Sequence, residues 1–199
     1  RFRLTYTLTD ALRQADPLCV TFKLYFDMFG LGKKKLPHCD DLFVKFLAPW
    51  YPSGERPNMT RPDMYQIAAY EGKPLNLDSI QYLETSYLTE TKKLITETML
   101  EAAHGDFSSL IHLDSLDLNF LDAVDKYFDR KKITELINNS DPNDFSNPYL
   151  ISICEFGVLL GHLFTQQKGF GWLYSHPYFH SIIVHEETGF GITVFDWAV

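Results

Sequence analysis

The alternation of apolar and polar positions predicts the elements of this chain before any single residue is considered. Residues 1–8, RFRLTYTL, alternate strictly, with Phe2, Leu4, Tyr6 and Leu8 on one face, which predicts a half-buried strand. A short helical turn over 10–15 follows. The stretch 18–29 carries both periods: Val20, Phe22, Leu24, Phe26 and Met28 alternate, while Lys23 and Asp27 sit four apart. We read it as helix, ended by Gly30 and Gly32 with Lys33, Lys34 and Lys35 at its C-terminus. Residues 40–47 form a short apolar-periodic element. Prolines at 49, 52, 57 and 62 then exclude regular structure and predict an extended loop that opens with Trp50 and Tyr51.

Helical spacing returns over 63–70, over 78–104 and over 116–138. The second of these is an amphipathic surface helix with Asp78 as its cap and Gly105 as its stop. In the third, Asp122, Asp125 and Asp129 share the outer face. Residues 149–164, YLISICEFGVLLGHLF, are apolar on nearly every side and predict a core helix. Pro148 suits its first turn, and Ser146 or Asn147 its cap. Ser152, Glu155, His162 and Gln166 form one polar seam along it, while Gly157 and Gly161 leave a groove where another backbone can approach. Three short strands are expected after it, over 172–174, 179–185 and 191–195, with Gly189 or Gly191 at positive φ in the last hairpin.

The fold class expected is α+β: mainly helical, with an N-terminal strand and a C-terminal three-stranded antiparallel meander packed on a central apolar helix. One domain over 1–199 is the natural reading at this length. Any subdivision would separate a mainly helical part, 1–145, from helix plus meander, 146–199.

Composition narrows the function classes. The chain is 45% hydrophobic and 15% aromatic, the balance of a globular protein. A formal charge of −8 argues against a nucleic-acid partner or an anionic membrane, both of which need basic surface. Cys19, Cys39 and Cys154 stand far apart with no CxxC pair, as reduced thiols of a cytoplasmic protein would. Aspartates at 106, 114, 117, 122, 125, 129, 141 and 144 concentrate negative charge and could form a docking face for a cationic partner.

The chemistry-bearing residues make no complete catalytic motif. His176 and His180 have the spacing of a helical metal pair, but Pro177 between them argues against a helix, and His180 and His185 point to opposite faces of a strand. We therefore expect no metal and no cofactor. Glu155 is the leading catalytic candidate, because a carboxylate on an apolar helix has a raised pKa and can serve as acid or base. His162, one of His176, His180 or His185, and Trp172 as a wall would complete that site. Cys154 and His162 lie eight residues apart, too far along a helix to touch. Trp50, Tyr51, Trp172, His176, His180 and His185 are the candidate binding residues.

An apolar helix with a Gly157-x-x-x-Gly161 step leads through Gly171-Trp172 into a short antiparallel sheet. Over this last quarter the chain resembles a group of small uncharacterised bacterial domains, some of them contact-toxin immunity proteins. The resemblance implies a bacterial accessory or immunity protein and transfers no catalytic residue. Together with the charge, it makes a non-enzymatic acidic module that binds a basic protein the leading expectation. A hydrolase built on Glu155 is the alternative.

Overall fold

The computed structural model describes residues 36–51, 64–66, 73–110, 116 and 119–199. The N-terminal strand over 1–8, the turn over 10–15 and the element over 18–29 lie outside the described residues, as does most of the proline loop. Residues 37–199 form one compact unit.

Helix α1 (Cys39–Leu42) is capped by the His38 ring and runs into a π-helical turn (Phe43–Leu47) and a 3-10 turn (Ala48–Trp50). The wider π turn carries Phe43, Phe46 and Leu47 into the core, each with almost no exposure. Strand β1 (Met64–Gln66) comes next, where helical spacing over 63–70 predicted a helix. Three residues are too few for periodicity to decide, and pairing of β1 with a strand far along the chain settles the conformation instead.

The helix expected over 78–104 is broken after Ile80. Helix α2 (Leu77–Ile80) is capped by Asn76, not Asp78, and ends at Gln81, whose backbone is extended. The break has a visible cause. Gln81 Nε2 donates to the Tyr174 carbonyl at 2.6 Å, and the Tyr174 N–H donates to Gln81 Oε1 at 3.1 Å. The chain then re-enters helix as α3 (Thr85–Lys93), a π-helical turn (Leu94–Thr98) and α4 (Met99–Asp106), running past Gly105. The helix expected over 116–138 is likewise broken, into α5 (Asn119–Tyr127) and α6 (Arg130–Asn138). Asp129 is the N-cap of α6, accepting from Lys132 N at 2.8 Å, so it does not share a continuous face with Asp122 and Asp125.

The core helix α7 (Pro148–Thr165) has the start the sequence predicted: Pro148 at its first position and Asn147 Oδ1 accepting from Leu150 N at 2.9 Å. By length and hydropathy alone α7 would pass for a membrane span, yet 67% of that window is buried inside the protein. It packs on α4, α6 and the Phe43–Leu47 turn on one side and on the sheet on the other. That contact joins the helical part to the C-terminal part across the 145/146 boundary.

Strands β2 (Phe170–Leu173), β3 (Ile182–His185) and β4 (Phe190–Ile192) form the expected antiparallel meander, and β1 extends it to a four-stranded sheet of order β1-β4-β3-β2. Residues 178–180 make a 3-10 turn rather than the start of β3, and α8 (Val194–Trp197) replaces the end of the last predicted strand. Gly189 has φ 70° in the hairpin, as expected. The sheet is covered on both faces, which explains the unbroken apolar run at 182–184. Ile183 pairs with Trp172 on the face toward α7, while Leu173, Ile182 and Val184 pack against Leu75, Leu77 and Ile80 on the other.

The glycine step on α7 is filled by aromatic rings. A Cβ on Gly161 would lie inside the Trp172 indole, and one on Gly157 would meet the Phe195 ring at 2.6 Å and its Cα at 3.1 Å. The groove predicted from Gly157 and Gly161 therefore seats Trp172 from β2 and Phe195 from α8.

Candidate functional site

The polar seam of α7 ends up in two different environments. Glu155 is 6% exposed and faces Asp106 at the end of α4. Burial first, then the Asp106 charge and a hydrogen bond between the two carboxyl groups, push its pKa up to about 7. Two carboxyls that share a hydrogen bond must share a proton, so Glu155 is a buried acid that titrates near neutrality. His162 lies seven residues on, about 10 Å along the axis. Burial lowers its pKa, and its Nε2 stands 3.1 Å from Gln166 Nε2.

The C-terminal histidines occupy three further environments. The exposed His176 ring, before a cis Pro177, lies 5.5 Å from Tyr87. His180 stacks on Tyr51 at 3.9 Å, and its Nε2 is buried without a partner among the described residues. Burial, and then His176, hold the His180 pKa down to about 4, so the ring is neutral at physiological pH. His185 Nδ1 is 2.9 Å from Thr188 Oγ1, and its ring lies 4.7 Å from Phe170. Glu155, His162 and these three histidines are thus each held by different neighbours. Trp172 is spent on closing the glycine step rather than on walling a cleft.

Trp50 and Tyr51 anchor the start of the proline loop. Trp50 meets Phe145 edge-on at 4.9 Å, with its Nε1 buried and unpartnered among the described residues. Tyr51 is buried, touches Phe43 and Phe179, and donates its hydroxyl to Asp196 Oδ1 at 3.2 Å. Asp196 is 1% exposed and was not singled out from sequence. Its setting in FDWAV, an acid among apolar residues, was the available signal. Cys154 Sγ lies 3.2 Å from the Tyr178 hydroxyl, and burial pushes its thiol up to about 12, which makes it unreactive.

The aspartate-rich stretch is largely spoken for by local structure. Asp106 pairs with Glu155 and Asp129 caps α6. Asp141 accepts from Asn143 N at 2.9 Å, and Asp144 from Ser146 N at 2.8 Å. Asp114 and Asp117 lie outside the described residues. Asp122 and Asp125 remain exposed on α5, and partial burial, then the Asp122 charge, raise the Asp125 carboxyl. Lys126, Lys131 and Lys132 follow close by, so that surface carries both signs.

Negative charge outnumbers positive on the α3–α4 segment. Glu84, Glu90, Glu97 and Glu101 are all exposed, with the exposed Lys92 and Lys93 between them, and Glu97 and Glu101 stand one helical turn apart. Tyr87, 48% exposed, stands three residues before Glu90, and Tyr82, 85% exposed, lies just ahead of α3. Comparison with family models, with curated proteins and with solved structures finds no match.

Proposed function

We propose that the chain is an acidic protein-binding module whose α3–α4 face receives a basic partner, of the kind a bacterial immunity protein neutralises in the cytoplasm. The exposed pairing of Tyr82 and Tyr87 with Glu84, Glu90, Glu97 and Glu101 carries this reading. Tyrosine supplies much of the energy of protein interfaces at small entropic cost, and a predominantly acidic rim, with Lys92 and Lys93 as its two cations, steers a cationic partner in. The net charge of −8 acts in the same direction over longer range. The test is capture from source-cell extract, by wild type and by the triple variant Glu90→Lys, Glu97→Lys, Glu101→Lys. A basic protein held by wild type, released by salt and lost with the variant supports the reading. Equal capture by both, or none by either, removes it.

A second reading has one specific observation behind it. The buried Glu155, hydrogen-bonded to the exposed Asp106, titrates near neutrality, as a general acid or base of a hydrolase would. Hydrolysis of ester, peptide or phosphodiester substrates that disappears in Glu155→Gln, with the fold intact, would favour the enzyme. Activity unchanged in that variant would exclude Glu155 from the chemistry.

A further inference from the structure

Three donor atoms of different chemistry converge at the start of α1. His38 Nδ1 lies 3.1 Å from Asp40 Oδ2 and 3.7 Å from Cys39 Sγ, and the three ligand atoms all fall within 4.8 Å of one another. A tetrahedral zinc ion with ordinary bond lengths has nitrogen–oxygen edges of about 3.3 Å and nitrogen–sulfur edges of about 3.5 Å. The two edges at His38 Nδ1 are therefore near their bound length, and the sulfur–oxygen edge lies within 4.8 Å, a span side-chain rotation can adjust. The His38 and Asp40 side chains are 67% and 57% exposed, which leaves an open path for a hydrated ion.

His38 Nδ1 is the atom the cluster shares. When the His38 ring is neutral, Nδ1 accepts the Asp40 N–H at 3.3 Å, and its lone pair then faces the Asp40 carboxylate as well as the sulfur. A single ring nitrogen cannot accept from the backbone and donate to the carboxylate at once. A positive ion between the three donors would take the Nδ1 lone pair and face the carboxylate and the sulfur together.

We propose that His38, Cys39 and Asp40 bind a borderline divalent first-row cation, with zinc the best match to a mixed imidazole, thiolate and carboxylate set. On binding, the sulfur–metal bond forms as the Cys39 thiol loses its proton to solvent, and Nδ1 exchanges the Asp40 N–H for the metal. Three protein ligands leave the fourth tetrahedral position for water. This revises the expectation that the chain holds no metal, and it is independent of the α3–α4 docking face. Because α1 leads directly into the buried Phe43–Leu47 turn, the ion would also tie down the entry to the core.

Cobalt titration of the full reduced chain tests the proposal, since a thiolate ligand gives a near-ultraviolet charge-transfer band that zinc abolishes by displacement. The expected result is one equivalent of cobalt with that band, its loss in Cys39→Ser, and a higher Tm with zinc in wild type alone. His38→Asn keeps an oxygen to cap α1 while removing the imidazole, and should also lose stoichiometric binding. A band that persists in Cys39→Ser would place the thiolate at another cysteine and overturn the assignment. Wild type that folds normally but shows no band at stoichiometric cobalt would overturn it too.

Discussion

Gly161→Ala sets two effects of known sign against each other, and the geometry decides between them. Alanine favours a helix interior over glycine by about 1 kcal/mol. At Gly161, however, the new methyl would occupy the space of the Trp172 indole. The ring cannot simply swing aside, because it stacks with Tyr174 at 6.1 Å and lies 6.1 Å from Phe195. Overpacking of this kind costs about 1–3 kcal/mol, and a methyl inside an indole belongs in the upper part of that range, so the net effect is a loss of about 1–2 kcal/mol. Gly105 supplies the control, since it lies in α4 with nothing within 4 Å of its added Cβ. There the same substitution should give only the helix gain, reduced by its place near the helix end. At ~2–4 °C per kcal/mol for a chain of this size, the two variants should move Tm in opposite directions. Urea unfolding would give the same ordering through the midpoint, with slopes unchanged. A Gly161→Ala protein as stable as wild type, or more so, would refute the packing argument, and Gly161→Leu should fail more severely still.

Three further outcomes follow from buried polar groups. The raised Glu155 pKa means that the folded state holds a proton which the unfolded state releases near pH 4.5, so its contribution to stability is full below that pH and is lost as pH rises through about 7. The ceiling is about 3 kcal/mol, and Glu155→Gln should remove the slope and raise Tm at pH 8; an unchanged Tm there would refute the burial argument. His180 acts oppositely, its depressed folded pKa costing stability as pH falls from 6.5 toward about 4, so thermal melts of Glu155→Gln against pH should expose an acid-side slope that His180→Phe abolishes. Tyr51→Phe takes a donor from the buried Asp196 carboxylate and should lower stability by about 1–3 kcal/mol by urea unfolding, with no change meaning that the 3.2 Å bond contributes nothing.

What was legible in the sequence was what repeats or punctuates. Helix α7 announced itself through an apolar run bounded by Asn147 and Pro148, and the meander through alternation around Gly189. What was hidden depended on partners far along the chain. Nothing near Gln81 shows that its amide will bind Tyr174, 93 positions later, so the break after Ile80 could not be seen in periodicity. The same holds for Asp106, which reads as one more surface aspartate until α4 lies against α7 and sets it beside Glu155. Strand β1 is three residues whose conformation is decided by β4. The candidate site fared similarly: Glu155 was marked by its apolar surroundings, whereas the dispersal of the histidines among Tyr51, Tyr87 and Phe170 is a product of packing.

The Gln81–Tyr174 pair has a meaning beyond the helix it interrupts. Among the described strands β2 lies at the border of the sheet, and a border strand offers unpaired backbone groups to any extended segment that drifts past. At Tyr174, where β2 leaves the sheet, both the N–H and the carbonyl are taken by one side-chain amide that imitates a neighbouring peptide group. Leu77 closes the adjoining surface over Gly171. A stranger's strand trying to continue the sheet at that corner would first have to evict the glutamine, so the residue that ends α2 also guards the molecule against sticking to copies of itself.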